Sequence, residues 1–149
     1  MMDTITGFLD ANLHPHFTIE IYGYNPAISV KVDVLMDTGF SGFLSLPLTN
    51  WFQSGLILLS TASYTLADGK QSNTLLCLGT IKAQDDNQVI HVAPGTVSVS
   101  FNNPTALLGV DFLERIKGKL VLDLPNKRAW IEINKAQPIT KPKKNAAQS

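Results

Sequence analysis

Short stretches of alternating apolar and polar residues, separated by turn-forming residues, run through most of this chain. Residues 17–22 alternate in this way, and residues 28–36 alternate at first and then become fully apolar. A period of two is typical of a strand with one buried face, and a continuous apolar run indicates entry into the core. The same pattern predicts further strands at residues 43–46, 63–66, 71–78, 80–83, 89–92, 97–101, 119–124 and 129–133.

Turn-forming residues join neighbouring strands into hairpins. The clearest turn contains Asp68-Gly69, and an Asp-Gly pair favours the tight turn of a two-stranded hairpin. Residues 84–87 and 125–127 connect two later pairs of strands. We therefore interpret Asp68 and the pair Asp85-Asp86 as solvated turn formers.

Helical spacing is confined to two short segments. Residues 50–54 form the first, with Thr49 as a candidate N-cap and Gly55 as its end. Residues 110–116 form the second, which we expect to end at Gly118. Many short strands with little helix predict an all-β fold, either a barrel or a sandwich.

Length and charge limit the classes of protein to which the chain can belong. Its 149 residues fit one domain, which we place at residues 1–134. Lys+Arg and Asp+Glu number 12 each, so the bulk composition lacks the basic excess typical of nucleic-acid or membrane-surface binding. Basic residues and two prolines cluster in residues 135–149, where we expect a disordered tail.

Cysteine content and hydropathy favour a cytoplasmic protein. Cys77 is the single cysteine, which excludes an intrachain disulfide and fits a reducing compartment. The first residues lack the pattern of a secretory signal. No apolar run approaches the ~18 residues that a membrane span needs, so we expect no membrane partner.

The segment from residue 34 to residue 42 ends an apolar strand in one carboxylate, Asp37. A turn that follows at once fixes this carboxylate on rigid backbone and leaves N–H groups free to bind it. Thr38 offers a hydroxyl that can lock the turn, and Gly39 permits a close backbone approach. A structural turn cap is the commonest fate of an Asp in such a place, so that interpretation stays open.

A lone carboxylate cannot readily hydrolyse a peptide bond, because the reaction needs an acid as well as a base. We interpret the segment His14-Pro15-His16 as a surface loop and find no metal-ligand spacing, nucleophile elbow or phosphate-binding glycine loop. The sequence therefore predicts neither a metal nor another cofactor. Symmetry can supply the missing acid, since Asp37 from two copies of the chain can share one proton.

These features resemble the retropepsin-like aspartic proteases, the single-domain homodimeric relatives of pepsin, over residues 17–133. The family's apolar strand ending in Asp-Thr-Gly matches residues 34–39, in a form similar to that of some microbial members. Its second motif, two apolar residues and a glycine before a helix, matches Leu107, Leu108 and Gly109. The resemblance implies a closed β-barrel-like protomer with one short helix in its C-terminal half, a homodimer, and endopeptidase activity on peptide or protein substrates.

The resemblance also implies roles for individual residues. Asp37 is the catalytic carboxylate, Thr38 interlocks the two active-site loops across the dimer, and Gly39 supplies backbone to that loop. The motif Leu107-Leu108-Gly109 supports the loop from behind. A flexible hairpin that closes over the substrate corresponds to Tyr64, Thr65, Leu66, Ala67, Asp68 and Gly69.

Two departures from the family pattern leave alternatives open. Phe40 stands where many members have a small residue, so we expect Ser41 to make the hydrogen bond that a serine at position 40 would give to Asp37. A hairpin over residues 119–133 follows the helix, whereas retroviral members dimerise through their termini, so the interface here is expected to differ. The alternatives are a catalytically silent peptide- or partner-binding module of the same fold, and a monomeric structural domain in which Asp37 caps a turn.

Overall fold

The computed structural model describes residues 2–65 and 67–134, and these form an all-β fold with two short helices. Leu66 and the predicted tail at residues 135–149 lie outside the described residues. The helices are α1 (Leu48–Ser54) and α2 (Val110–Ile116). The strands are β1 (Met2–Thr6), β2 (Phe8–Leu9), β3 (Pro15–Tyr22), β4 (Val30–Met36), β5 (Leu44–Pro47), β6 (Ile57–Thr65), β7 (Gln71–Gln84), β8 (Ile90–Ser100), β9 (Ala106–Leu108), β10 (Gly118–Asp123) and β11 (Arg128–Asn134).

Six strands close into a barrel in the order β3-β4-β9-β5-β8-β7, with β7 pairing back onto β3. The pairs β4–β9 and β5–β8 are parallel, and the other pairs of the barrel are antiparallel. Strands β2 and β6 extend the barrel sheet at its two ends, and β1, β11 and β10 form a second sheet in that order. The predicted all-β, barrel-like fold is confirmed.

The core follows the alternation that the sequence displays. In β3 the side chains of Phe17, Ile19 and Ile21 are at most 2% exposed, and the residues between them are half-buried or exposed. Leu108 of β9 and Phe112 of α2 are fully buried in the same cluster. Each such side chain contributes roughly 1.5–3 kcal/mol when it leaves water, so the barrel interior anchors both β9 and α2.

Both predicted helices are present, and α2 spans residues 110–116 as predicted, but the predicted start of α1 and the predicted terminating residue of α2 are wrong. Helix α1 begins after Pro47, whose φ of −62° and ψ of 151° lead into it without a side-chain cap from Thr49. Gly55 ends α1 at a φ of +64°, as predicted. Helix α2 ends at Ile116, Lys117 is its C-cap with a φ of +54°, and Gly118 begins β10. A Cβ at position 118 would lie 2.8 Å from a methyl of Ile131, so this glycine serves close packing.

Several strands differ from the predicted set. The predicted segments 71–78 and 80–83 belong to one long strand, β7, and residues 97–100 continue β8. His16 lies in β3 rather than in a surface loop. Strand β1 was not predicted, because its buried face carries Asp3 beside Ile5 and so breaks the apolar pattern.

Asp85 is buried, at 4% exposure, so the interpretation of this residue as a solvated turn former is wrong. Its Oδ1 accepts the N–H groups of Asn87 and Val89, and its Oδ2 lies 2.8 Å from Nε2 of His91. Burial raises the pKa of Asp85, but these hydrogen bonds outweigh it and leave that pKa lowered. Asn87 also donates to Asp3, so the turn fastens β1 to the barrel.

We expect Asp85→Asn to lower the free energy of unfolding at about pH 7 by about 1–3 kcal/mol, because Asn has one acceptor oxygen where Asp85 has two, so a buried donor loses its acceptor. The carboxylate's stabilisation is present above its ordinary pKa of 3.8 and is lost as pH falls through the lower folded value. Urea unfolding of both proteins should therefore give a difference that shrinks in acid. Asp68→Asn, at the exposed turn between β6 and β7, is the control, and a difference independent of pH would contradict the assignment.

Candidate active site

Asp37 directly follows β4 and is held against β9. Its N–H donates to the carbonyl of Leu108 at 2.9 Å. The parallel pairing of β4 with β9 places Leu35 beside Leu107 and Met36 beside Leu108. Because both strands are anchored in the core, the half-buried carboxylate extends from rigid backbone, as the sequence predicts.

The turn after Asp37 folds back onto the carboxylate. Oδ1 of Asp37 accepts the N–H of Gly39 at 2.9 Å, and the Asp37 carbonyl accepts the N–H of Phe40 at 3.0 Å. A Cβ at Gly39 would lie 3.2 Å from Oδ1, so glycine keeps the carboxylate unobstructed. Ser41 is exposed and, within the described part of the chain, makes no hydrogen bond to Asp37, so that prediction is wrong.

The segment around Gly109 supports this turn from the other side. The N–H of Gly109 donates to Phe43, the N–H of Val110 donates to Phe40, and the N–H of Asp111 donates to Gly42. The first N–H groups of α2, which have no partner within the helix, thus satisfy carbonyls of the Asp37 turn. A Cβ at position 109 would collide with the carbonyl of Gly42. The fold therefore brings the two sequence motifs into direct contact.

Phe40 packs within the turn. Its ring is half-buried, and a Cβ at Gly42 would lie 2.6 Å from it. A Cβ at Gly109 would lie 2.8 Å from the same ring. The two glycines therefore make room for Phe40, which occupies the space between the turn and the start of α2.

The Asp37 carboxylate opens into a groove of about 380 Å³. Three parts of the chain form its walls: the loop before β3, the end of β4, and β10. The lining residues are Leu13, His14, Pro15, Leu35, Met36, Asp37, Thr38, Leu120 and Leu122. The groove is thus mainly apolar, with Asp37 and His14 as its ionisable members.

Sequence reasoning missed most of this groove. In the β3–β4 pairing His16 lies opposite Leu35, and continuing this register by two residues places His14 opposite Asp37. Knowledge of this register would have identified His14 as a neighbour of Asp37. Leu120 and Leu122 carried no comparable signal, because they belong to the separate sheet formed by β1, β11 and β10.

The hairpin predicted around Asp68-Gly69 is present, and β6 and β7 form it. Tyr64 pairs with Ser72 and Thr65 with Gln71, and Leu66 lies outside the described residues. Oδ1 of Asp68 accepts the N–H of Lys70 at 2.9 Å, which confirms Asp68 as a turn former. Exposed residues Ala67, Asp68 and Gly69 complete the described tip. Among the hairpin residues whose side chains the structure describes, which are Thr65, Ala67, Asp68 and Gly69, none lines the Asp37 groove in the protomer.

Two further reactive groups have structural explanations. Ligand-type atoms of Asp3, Asp85 and His91 lie within 4.8 Å of one another and could hold a cation. The oxygens of Asp85 already have His91 and two backbone N–H groups as partners, so we assign this cluster to the β1 attachment. Burial raises the pKa of the Cys77 thiol, which fits a core residue rather than a nucleophile.

We expect Gly109→Ala to lower the free energy of unfolding by about 1–3 kcal/mol, because the new methyl group would displace the Gly42 carbonyl or the Phe40 ring. Gly39→Ala is the matched control, since its Cβ would approach only the Asp37 carboxylate. Its effect on stability should stay within about 0.5 kcal/mol. Urea denaturation of the three proteins measures both, and equal stability of Gly109→Ala and wild type would contradict the packing argument.

Comparison of the sequence with protein-family models gives no match, and comparison with curated proteins gives no significant match. Across residues 2–65 and 67–134, neither helix has the length and apolar character of a membrane span.

Proposed function

We propose that this protein is an aspartic endopeptidase that acts as a homodimer, with one Asp37 from each subunit. The observation that carries the proposal is the fixed carboxylate. Asp37 directly follows a core strand, accepts the N–H of Gly39, and opens into a groove. The order of the two motifs, similar to that of retropepsin-like proteases, gives further support.

A second copy is needed because the chemistry requires two carboxyl groups. Among the described residues that line the groove, Asp37 is the one carboxylate. Two such groups a few Å apart cannot both ionise, so they hold one proton between them. Exposed Thr38 is the residue that we assign to the contact between the two turns.

The proposed reaction is general acid–base hydrolysis. The ionised Asp37 takes a proton from water as the water oxygen bonds to the peptide carbonyl carbon, and the protonated Asp37 donates its proton to the carbonyl oxygen. The tetrahedral intermediate then collapses: the Asp37 that took the proton from water gives it to the nitrogen as the carbon–nitrogen bond breaks, and the other Asp37 takes a proton from a hydroxyl of the intermediate. The amine and the carboxylic acid leave, and the pair again holds one proton. This mechanism uses no metal or organic cofactor.

The other parts of the proposal concern the substrate and the location of the enzyme. The hairpin from Tyr64 to Gly69 would close over an extended peptide bound beside Asp37. The single cysteine and the zero net charge support a cytoplasmic enzyme without a nucleic-acid partner. The alternative of a silent binding module was supported mainly by Phe40, and the packing of that ring against Gly42 and Gly109 weakens the alternative.

We expect Asp37→Asn to lower peptide cleavage by at least about 10²–10⁴-fold, since the amide can neither accept nor share the proton. A diverse peptide mixture incubated with each protein from acid to neutral pH and examined by mass spectrometry measures this and gives the specificity. Asp86→Asn, a change of the same kind at an exposed turn, should cleave as wild type does. A folded, dimeric wild type that leaves every peptide intact would instead favour the binding module.

Mixing subunits tests the shared dyad. We expect that wild type mixed with an equal amount of Asp37→Asn, after subunit exchange at constant total protein, retains about one quarter of wild-type activity. Only dimers with two intact carboxylates would cleave, and their fraction is the square of the wild-type fraction. Retention of one half would mean that each subunit acts alone, contrary to the proposal.

A further inference from the structure

His16 is held by two carboxylates and one aromatic ring. Its Nε2 lies 2.8 Å from Oδ2 of Asp10, and its Nδ1 lies 3.0 Å from Oδ1 of Asp33. The Phe8 ring stacks on the imidazole, with centroids 4.9 Å apart and planes 11° apart. Two carboxylate acceptors require two N–H donors, which imidazole offers only when it is protonated. The geometry is that of an imidazolium between two acids.

Asp10 in turn shapes the loop of residues 10–14. Its Oδ1 accepts the N–H groups of Asn12 and His14, at 2.8 and 3.0 Å. Its backbone N–H donates to the carbonyl of His14, and its carbonyl accepts the N–H of Leu13. Leu13 has a φ of +64°, a conformation that a leucine keeps only where its surroundings impose it. The shape of this loop therefore depends on Asp10.

The same loop forms one wall of the Asp37 groove. Leu13 and His14 line the groove, while His16 does not. The His14 side chain is 57% exposed, so a bound peptide can contact it. A chain of hydrogen bonds thus runs from Asp33 through His16 and Asp10 to His14, in the groove wall beside Asp37.

We propose that His16 is a positioning residue for peptide binding: through Asp10 it fixes Leu13 and His14 as the wall that contacts the substrate. This inference rests on the proposed function, because the wall has a substrate only if Asp37 catalyses cleavage. His16 itself acts through the loop and does not touch the substrate.

The arrangement makes substrate binding depend on pH. The ionisable groups that face His16 are Asp10 from the loop and Asp33 from β4, with His14 lying 3.9 Å from Asp10 on its other side. Burial lowers the pKa of His16, but the bonds to Asp10 and Asp33 outweigh it and raise this pKa above 6.5. The N–H of His14 and the bond to His16 lower the pKa of Asp10 to about 2.

The directions of the His16 and Asp10 pKa shifts define the pH range in which the loop is stabilised. A raised His16 pKa means that its stabilisation is complete below 6.5 and is lost as pH rises through the folded value. A lowered Asp10 pKa means that its stabilisation is present above 3.8 and is lost only in stronger acid. The loop is therefore held most firmly between these two values and loosens on the alkaline side.

The first experiment examines the loop without any substrate. Imidazole NMR spectra and amide hydrogen exchange are recorded from about pH 5 to pH 9. We expect His16 to titrate above 6.5 and the protection of the His14 amide to fall at the same pH. Asp33→Asn, at a side chain that is 56% exposed, removes one charge and should move both events to lower pH. Protection of His14 that is unaffected by the charge of His16 would overturn the inference.

The second experiment measures peptide cleavage at protein concentrations that saturate the dimer. We expect His16→Gln to raise KM roughly tenfold with little change in kcat, the scale of a lost charge-assisted hydrogen bond. His91→Gln is the matched control, because His91 makes the same 2.8 Å contact with Asp85 and is 16% exposed, against 17% for His16. His91 does not line the groove, so its substitution should leave KM unchanged.

Wild-type KM should also rise as pH passes the His16 pKa, and Asp33→Asn should move that rise to lower pH even if His16→Gln fails to fold. An unchanged KM in His16→Gln, or an equal rise in His91→Gln, would overturn the inference. So would a KM effect that disappears at higher protein concentration, since the wall would then contact the other subunit. If wild type cleaves no peptide, both the proposed function and the positioning role in substrate binding are wrong. If His16 and the His14 amide still titrate together in that case, the coupling of His16 to the loop holds, and the failure lies in the proposed function.

Discussion

The parallel pairing of β4 with β9 is the constraint on which the candidate site depends. It places the end of one core strand beside the start of α2, so the N–H of Asp37 meets the carbonyl of Leu108. The turn after Asp37 has carbonyls that need donors, and the first turn of α2 has N–H groups that need acceptors. Each satisfies the other only because Gly109 lets the two backbones approach. The carboxylate is therefore rigid as a result of long-range packing rather than of its own turn alone.

Much of this could be predicted from sequence because the signals are local. An apolar run that ends in Asp-Thr-Gly specifies a buried strand and a tight turn, and helical spacing after Gly109 specifies α2. The features that the sequence did not predict are buried polar residues. Their burial depends on segments that are distant in the chain. Asp3 breaks the alternation of β1 yet is 1% exposed, and Asp85 has the composition of a surface turn yet is 4% exposed. Asn87, the partner of Asp3, lies 84 residues away in the chain, and Asp85 meets His91 across the turn between β7 and β8.

The groove beside Asp37 could likewise be predicted only in part from the sequence. Its carboxylate was found, but its walls depend on strand register and on how a second sheet meets the barrel. His14 was interpreted as part of a surface loop, and its place beside Asp37 follows from the pairing of His16 with Leu35. The hairpin that carries Asp68 was predicted correctly as a hairpin, whereas no local pattern shows whether Asp68 lines the Asp37 groove, and in the protomer it does not.

The apolar residues beside Asp37 would link dimer formation to the protonation state of the two carboxylates. In the proposed dimer the two copies of Asp37 would lie close to the symmetry axis, and the β10 side chains that border the groove would be brought near the partner. Leu122, which is 44% exposed in the protomer, is such a side chain. Burying apolar groups around two carboxylates removes water and lowers the local dielectric, which strengthens the coupling that keeps one proton on the pair. The dimer would then do more than supply a second acid, because the surface that holds the subunits together would also set the protonation state on which hydrolysis depends.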